Sequence, residues 1–313
     1  MSEAVPMDAA AVVPIAATTR SGAIESVHHG LVVALGADGS VVLSAGDPST
    51  QVYPRSSLKP LQAEAMLDAG LDVTPEQLAV ACASHRGQPV HIETVRSLLA
   101  SVGLTADRLQ NTPDWPLDRA AADEVVRAGG ARSSLLQNCS GKHAAMLATC
   151  VVNGWDVDSY LEPQHPLQVA IDGHIAARTG GVLHTGIDGC GAPTAAVTLE
   201  GVARAFAAVA ATAGAVYEAM LARPDLVSGE GGDDTTMMRA VPGLMMKGGA
   251  EGVLVAALGD GRAVAIKVAD GAARAGLPVL LDVLHRLDVD TGAVAPPAIM
   301  GHGRPVGETR SLL

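Results

Sequence analysis

Arg55-Ser56-Ser57-Leu58-Lys59-Pro60 is where the chain changes character. Before it the pattern is that of strands, and after it the apolar segment Leu61 to Ala69 opens a long run of helical periodicity. Pro60 locates the helix start, because proline is tolerated in the first turn and breaks a helix interior. Ser56 stands three residues before Lys59, so hydroxyl and amine fall on one face of that start. This is the spacing of a Ser-Lys nucleophile pair, and Ser57 lacks it because its partner would be Pro60. At a helix lip the free backbone N–H groups and the positive dipole end can also stabilise an oxyanion. An N-cap serine followed by a solvated lysine has the same letters, so the stretch alone does not decide the chemistry.

Upstream, the alternation from Ile24 to Leu35, a turn at Gly36-Ala37-Asp38-Gly39-Ser40 and the run Val41 to Ala45 predict a β-hairpin. A short extended piece follows at Gln51 to Tyr53. Downstream, Leu61 to Ala69, Thr74 to Ala83, His91 to Val102, Arg119 to Ala128, Gly141 to Val152 and His165 to Thr179 read as successive helices broken by Gly or Pro. Val182 to Thr185 is strand-like, and Ala195 to Ala213 and Ala215 to Ala222 read as Ala-rich helices. Near the C-terminus, Gly252 to Leu258 and Ala263 to Val268 flank Gly259-Asp260-Gly261-Arg262, the strongest hairpin signal in the chain. A helix over Ala272 to Leu287 follows, and the Pro- and Gly-rich end reads as coil. Strands toward both ends with helices between them predict an α/β fold, an antiparallel sheet from the N- and C-terminal parts with an inserted helical region. The expected division is 1–54 and 182–313 for the sheet part and 55–181 for the helical part, packed as one functional unit.

The chain has 313 residues and carries 33 Asp plus Glu against 21 Lys plus Arg, a net charge of -12 that argues against nucleic acid or an anionic membrane as partner. Aromatic residues are 2% of the chain, so stacking platforms for bases or sugars are scarce and the core must be aliphatic. Met1 to Val5 has no basic region followed by an apolar run, and no segment has the length of an uninterrupted membrane span, which predicts a cytoplasmic protein. In a reducing compartment Cys82, Cys139, Cys150 and Cys190 are expected as thiols or metal ligands rather than disulfides.

Four further polar stretches require a reason. Ala83-Ser84-His85-Arg86-Gly87-Gln88 holds more hydrogen-bonding groups than a helix end needs. Asn138-Cys139-Ser140-Gly141-Lys142-His143 sets a thiol, an amine and an imidazole at a helix start, and Asp188-Gly189-Cys190-Gly191 puts a second thiol in a tight turn. Thiols held this way suit zinc, although two are too few for a closed site. Cys82 and Cys150 lie in apolar runs and are expected in the core. Met246-Lys247-Gly248-Gly249-Ala250-Glu251-Gly252 could be a basic turn, or a Lys-Gly pair along a strand that aligns a substrate. Ser56 with Lys59, then Ser84, then Lys247-Gly248 follow the order of the three elements of serine β-lactamases and penicillin-binding proteins.

Taken together, 55–60, 83–87, 138–143, Gly186-Ile187-Asp188-Gly189-Cys190-Gly191-Ala192-Pro193 and 247–252 resemble the asparaginase II family typified by the inducible Rhizobium etli enzyme. The resemblance spans nearly the whole chain. It implies a fold related to the serine β-lactamases, penicillin-binding proteins and glutaminases, and hydrolysis of L-asparagine to L-aspartate and ammonia. It further implies two Ser-Lys tandems, Ser56 with Lys59 and Ser84 with Lys247. A zinc ion would sit at Cys139, Lys142 and Cys190 beside Asp188, with Arg55, His143 and Asp188 toward the substrate, in a homodimer. A lysine that binds metal must be neutral. One stretch departs from the family pattern: Asn111-Thr112-Pro113-Asp114-Trp115-Pro116 stands where members carry Cys-Gly-x-His before the proline. The mechanism implied is an acyl-enzyme, with neutral Lys59 taking the proton of Ser56 as it attacks the side-chain carbonyl. A glutaminase, a β-lactamase-like amidohydrolase and a non-catalytic zinc-containing asparagine-binding protein are the competing readings.

Overall fold

The computed structural model describes residues 7–313, so the Met1 to Val5 opening read above lies outside the described residues. Its strands are β1 (Val13–Arg20), β2 (Ala23–Leu35), β3 (Val41–Ala45), β4 (Gln51–Val52), β5 (His184–Ile187), β6 (Pro193–Thr198), β7 (Leu244–Gly249), β8 (Val253–Leu258), β9 (Ala263–Val268), β10 (Ile299–Gly301), β11 (Arg304–Gly307) and β12 (Thr309–Ser311). Its α-helices are α1 (Lys59–Asp68), α2 (Pro75–Ala81), α3 (Pro89–Ser101), α4 (Arg119–Arg127), α5 (Ser140–Asn153), α6 (Pro166–Thr179), α7 (Leu199–Thr212), α8 (Ala215–Ala222), α9 (Pro224–Ser228), α10 (Asp233–Ala240) and α11 (Gly276–Arg286). The chain forms two compact units. One takes the described residues up to Ser57 with Ala196–Thr212 and Met237–Leu313, and the other takes Leu58–Ala195 with Ala213–Thr236.

The first unit holds a seven-stranded antiparallel sheet in the order β12-β1-β2-β9-β8-β7, with β3 also paired to β2. The expected joint sheet is therefore present, closed where β2 meets β9 with Gly30 opposite Val268 and Leu35 opposite Ala263. Gly30 is required there, since a Cβ would come within 2.4 Å of the Lys267 carbonyl oxygen. Both predicted hairpins form, β2/β3 and β8/β9. Every residue of β8 and β9 is buried, with α7 and α11 both packed on these strands, so both sheet faces are covered.

Several elements differ from the sequence reading. β1 was not foreseen, because Ile15 to Thr18 are all buried and the alternation that marks a half-exposed strand is missing. The expected helix over Ala195 to Ala213 begins only at Leu199. Residues 193–198 form β6, whose Val197 and Thr198 pair with β4, so strand pairing overrides the helical propensity of Ala195 and Ala196. The tail expected as coil instead forms three strands, and β12 pairs with β1 by setting Ala16, Ala17 and Thr18 against Ser311, Arg310 and Thr309. The buried Thr18 and Thr309 hydroxyls hydrogen-bond at 3.0 Å across that pair.

The second unit is helical and is built around α5, whose residues Ser140 to Cys150 are all buried and which packs against α1, α2, α3 and α6. A helix enclosed on all sides is expected to be apolar throughout. Lys142 and His143 in its first turns are therefore the exceptions that need partners. The N-terminus of α2 is set by a capping box, with Thr74 Oγ1 accepting from the Gln77 N–H and Gln77 Oε1 accepting from the Thr74 N–H. Among the described residues no single helix is long and apolar enough to cross a membrane.

Candidate active site

Lys59 begins α1 and is 1% exposed. Its Nζ donates to the Ala83 carbonyl at 2.5 Å, to Ser84 Oγ at 3.3 Å and to Cys139 Sγ at 3.2 Å. A buried amine at this position links a half-buried serine to a thiol. The 83–88 segment that carries Ser84 follows the end of α2 and is pinned on both sides. Ser84 N donates to the Val227 carbonyl at 3.0 Å and His85 N to the Asn138 carbonyl at 3.1 Å. Fully buried His85 accepts from the Gly87 N–H through Nδ1, so its Nε2–H donates to Ser140 Oγ at 2.8 Å. The surplus of polar groups in 83–88 is thus spent on joining this segment to the start of α5.

The thiols converge at the same end of α5. Lys142 Nζ lies 3.2 Å from Cys190 Sγ, and Cys190 Sγ lies 3.6 Å from Asp188 Oδ2. Cys139 and Cys190 share a hydrogen bond, which holds Cys139 well below its ordinary thiol value against the effect of burial, with Lys59 and Lys142 adding to the lowering. The same bond, with burial, raises Cys190, so the two thiols are pushed apart in opposite directions. Burial acts to lower Lys142, but the facing Cys190, Cys139 and Asp188 outweigh it and hold the ammonium above its ordinary value. With these neighbours the amine is protonated, and a metal would compete with that proton for one lone pair. The other two cysteines are core residues, and burial pushes the Cys150 thiol up to about 12.

Among the described residues no three His, Cys, Asp or Glu side chains are arranged to hold a metal, so a zinc position depends on Lys142 as a donor. With Lys142 included the donor set fits. The 3.2 and 3.6 Å spacings of amine, thiol and carboxylate are close to the roughly 3.3–3.8 Å expected between neighbouring ligands of tetrahedral zinc.

The stretch that departs from the family pattern supports this cluster. Asn111, fully buried, donates to the Ser134 carbonyl at 2.7 Å and to Gln137 Oε1 at 2.9 Å, and that same oxygen accepts from the Cys139 N–H. Thr112 Oγ1 donates to the Gly189 carbonyl at 2.9 Å, one residue from each of Asp188 and Cys190. Sequence reading gave this loop no role beyond its departure from the family pattern. Its first two residues instead tie together the two cysteine-bearing segments. Tyr160 was missed altogether: its hydroxyl lies 2.8 Å from His143 Nδ1. The one available signal was scarcity, since the chain has three tyrosines.

In the sheet unit, Arg55 and Ser56 lie in a 3₁₀ turn, Arg55–Leu58, and Arg55 adopts φ +55°. A left-handed arginine is strained backbone, retained where the surroundings fix it. Lys247 is fully buried on β7 and its Nζ donates to the Gly248 carbonyl at 2.8 Å, so the Lys-Gly pair lies along a strand rather than in a turn. Ser57 Oγ donates to the Lys247 carbonyl at 3.0 Å, fastening the Ser56 turn to β7. Gly249 permits this approach, since a Cβ there would come within 2.3 Å of the Pro54 carbonyl oxygen. The structure therefore brings Lys59 to Ser84, and the turn bearing Ser56 to the strand bearing Lys247.

The model of the L-asparaginase II family matches residues 16–311. The chain belongs to that family. Membership makes it a hydrolase acting on amides. This asparaginase II family member is also similar to solved structures at low identity. A beta-lactamase from Mycobacterium bovis is 16% identical, with 82% of this chain and 94% of that one covered and a TM-score of 0.41. The native form of Mglu is 13% identical, with 82% of this chain covered and a TM-score of 0.43, and the match spans 63% of Mglu, under two thirds of its length. No curated protein matches the chain.

Proposed function

We propose that this family member hydrolyses L-asparagine to L-aspartate and ammonia through a Ser-Lys acyl-enzyme. The observation that carries the reading is the buried Lys59 amine within hydrogen-bond reach of the Ser84 hydroxyl, in a chain of this family. Lys59, once it has released one proton and with it one of its three hydrogen bonds, takes the proton from Ser56 as the serine oxygen bonds to the side-chain carbonyl carbon. The C–N bond then breaks, and the proton passes from Lys59 through Ser84 to the departing nitrogen, giving ammonia and an ester. Water attacks the ester, returns the proton to Ser56 and releases aspartate. The Ser57 hydroxyl holds the Lys247 carbonyl, which keeps Lys247 on the strand next to the Ser56 turn. The Arg55 guanidinium suits the substrate carboxylate and the Asp188 carboxylate suits its ammonium group.

A second reading makes Ser84 the nucleophile, favoured by its 3.3 Å contact with Lys59. Ser56→Ala and Ser84→Ala decide between them, with ammonia release and intact mass after rapid quench as readouts. The expected result is a loss of about a thousandfold or more in kcat/KM and no acylated mass for Ser56→Ala, against about 10- to 100-fold for Ser84→Ala. The reverse order transfers the nucleophile to Ser84, and full activity in both removes the acyl-enzyme. Parallel assays on L-asparagine, L-glutamine and a chromogenic β-lactam are expected to show ammonia release chiefly from asparagine. Tight asparagine binding without aspartate formation would instead identify a binding protein.

Zinc belongs to the same proposal, held by Cys139, Lys142 and Cys190 with Asp188 adjacent. When bound it supplies a fixed positive charge that orients the amino-acid end of the substrate. Protein purified without chelator is expected to carry about one zinc per chain, and the Cys139→Ser, Cys190→Ser double variant none, by elemental analysis. A metal-free wild type would remove zinc from the proposal. A cytoplasmic homodimer completes the reading, and light scattering of the purified protein checks the dimer.

A further inference from the structure

Tyr160 is fully buried in the turn between α5 and α6, and its hydroxyl has two polar neighbours. The Gln110 backbone N–H donates to it at 3.1 Å, and His143 Nδ1 lies 2.8 Å away. The rings meet edge to face, 5.7 Å between centroids and 80° between planes. A phenol has one hydrogen to give. Because Gln110 N can only donate, the Tyr160 oxygen accepts there and its own hydrogen is left for His143. Were Nδ1 to carry the imidazole proton and donate instead, the phenol hydrogen and the Nε2 lone pair would both be unpaired in a dry interior. With Nδ1 as acceptor, a single group lacks a partner, the Nε2–H. Buried polar groups are overwhelmingly paired, so the arrangement with fewer orphans is the one adopted. Nε2 of His143 is buried and has no hydrogen-bond partner among the described residues. The tautomer also bars that nitrogen from ligating a metal, although His143 directly follows Lys142.

We propose that Tyr160 is a positioning residue that locks His143 in the Nε2–H form, keeping that N–H for an acceptor oxygen of the amide substrate. The inference deepens the proposed function and rests on the expectation, implied by the family resemblance, that His143 lies toward the substrate. The uncommitted donor suits a carbonyl or carboxylate oxygen, and the amide carbonyl oxygen gains negative charge during attack.

Tyr160→Phe keeps the ring and removes the hydroxyl. Ring ¹⁵N–¹H correlation spectra of [¹⁵N]histidine-labelled protein report the tautomer, with His143 assigned by its loss in His143→Gln. The wild type is expected to show the Nε2-protonated pattern and Tyr160→Phe a shift toward Nδ1 protonation. Tyr160→Phe is expected to lower kcat/KM about tenfold, with a melting temperature lowered by the Gln110 N–H that loses its acceptor. His143→Gln places an amide N–H near the Nε2 position whatever the tautomer, so in that background Tyr160→Phe is expected to cost nothing further. An Nδ1–H wild type, an identical pattern in Tyr160→Phe, or an equal cost in both backgrounds would overturn the assignment. The tautomer readout needs no turnover, so a wild type inactive on every amide refutes the proposed function while the spectra still decide for or against Tyr160.

Discussion

Lys59→Met is expected to lower kcat/KM for L-asparagine by about a thousandfold, with the fold retained. Methionine matches the aliphatic stem that lies buried at the start of α1, so packing is conserved while the amine is lost. Three groups then lose a donor: the Ala83 carbonyl, Ser84 Oγ and Cys139 Sγ. The unpaired carbonyl alone costs about 1–3 kcal/mol, which a lowered melting temperature would report. Activity must fall much further than stability if Lys59 moves protons. Lys59→Arg supplies the comparison, since it restores a cation and donors but a guanidinium does not deprotonate in proteins. Both variants are expected to be inactive, with Arg recovering part of the stability lost in Met. An active Lys59→Arg protein, assayed by ammonia release, would show that a positive charge suffices there and that the base lies elsewhere.

The architecture was legible where local pattern and tertiary role agree. The β8/β9 hairpin follows from Gly259-Asp260-Gly261-Arg262 because that turn chemistry is local. α8 fills the predicted Ala215–Ala222 span, and α5 and α6 start and stop within two residues of their Gly and Pro punctuation. β1 and β12 were not legible, since one is buried without alternation and the other is three residues whose partner lies at the far end of the chain. No window that short can report a pairing between Thr18 and Thr309. The site divides in the same way. Residue types at fixed spacing marked the lysines, serines and cysteines, because chemistry selects the side chain. The partners that hold them were not marked. The Ala83 carbonyl has no sequence signature, and Tyr160 acts through a hydroxyl whose role depends on the backbone N–H of Gln110. Asn111 was read only as part of a departure from the family pattern, yet its amide is committed to Ser134 and Gln137.

Gly141→Ala is expected to destabilise the protein by about 3 kcal/mol, although alanine is the better helix former. Gly141 is the second residue of α5, and a Cβ there would lie 2.1 Å from the Val80 carbonyl oxygen and 2.8 Å from its carbon. Both are backbone atoms of α2, which no rotamer change can move, so α5 and α2 must part. The displacement would fall on the segments that carry the site. Val80 lies four residues before Ser84, and Gly141 lies between Cys139 and Lys142. Activity is therefore expected to drop with stability, through the contacts of Lys59 with Ser84 and Cys139. Gly173→Ala on α6 is the matched control, an exposed helical glycine with nothing within 4 Å of its ideal Cβ. Alanine there is expected to stabilise by about 0.5–1 kcal/mol, the ordinary helix preference. Calorimetry should show the two melting temperatures moving in opposite directions, Gly141→Ala downward by about 5 °C. If Gly141→Ala melts with Gly173→Ala, above the wild type, α5 and α2 do not approach this closely and the placement of Cys139 and Lys142 against Lys59 would need revision.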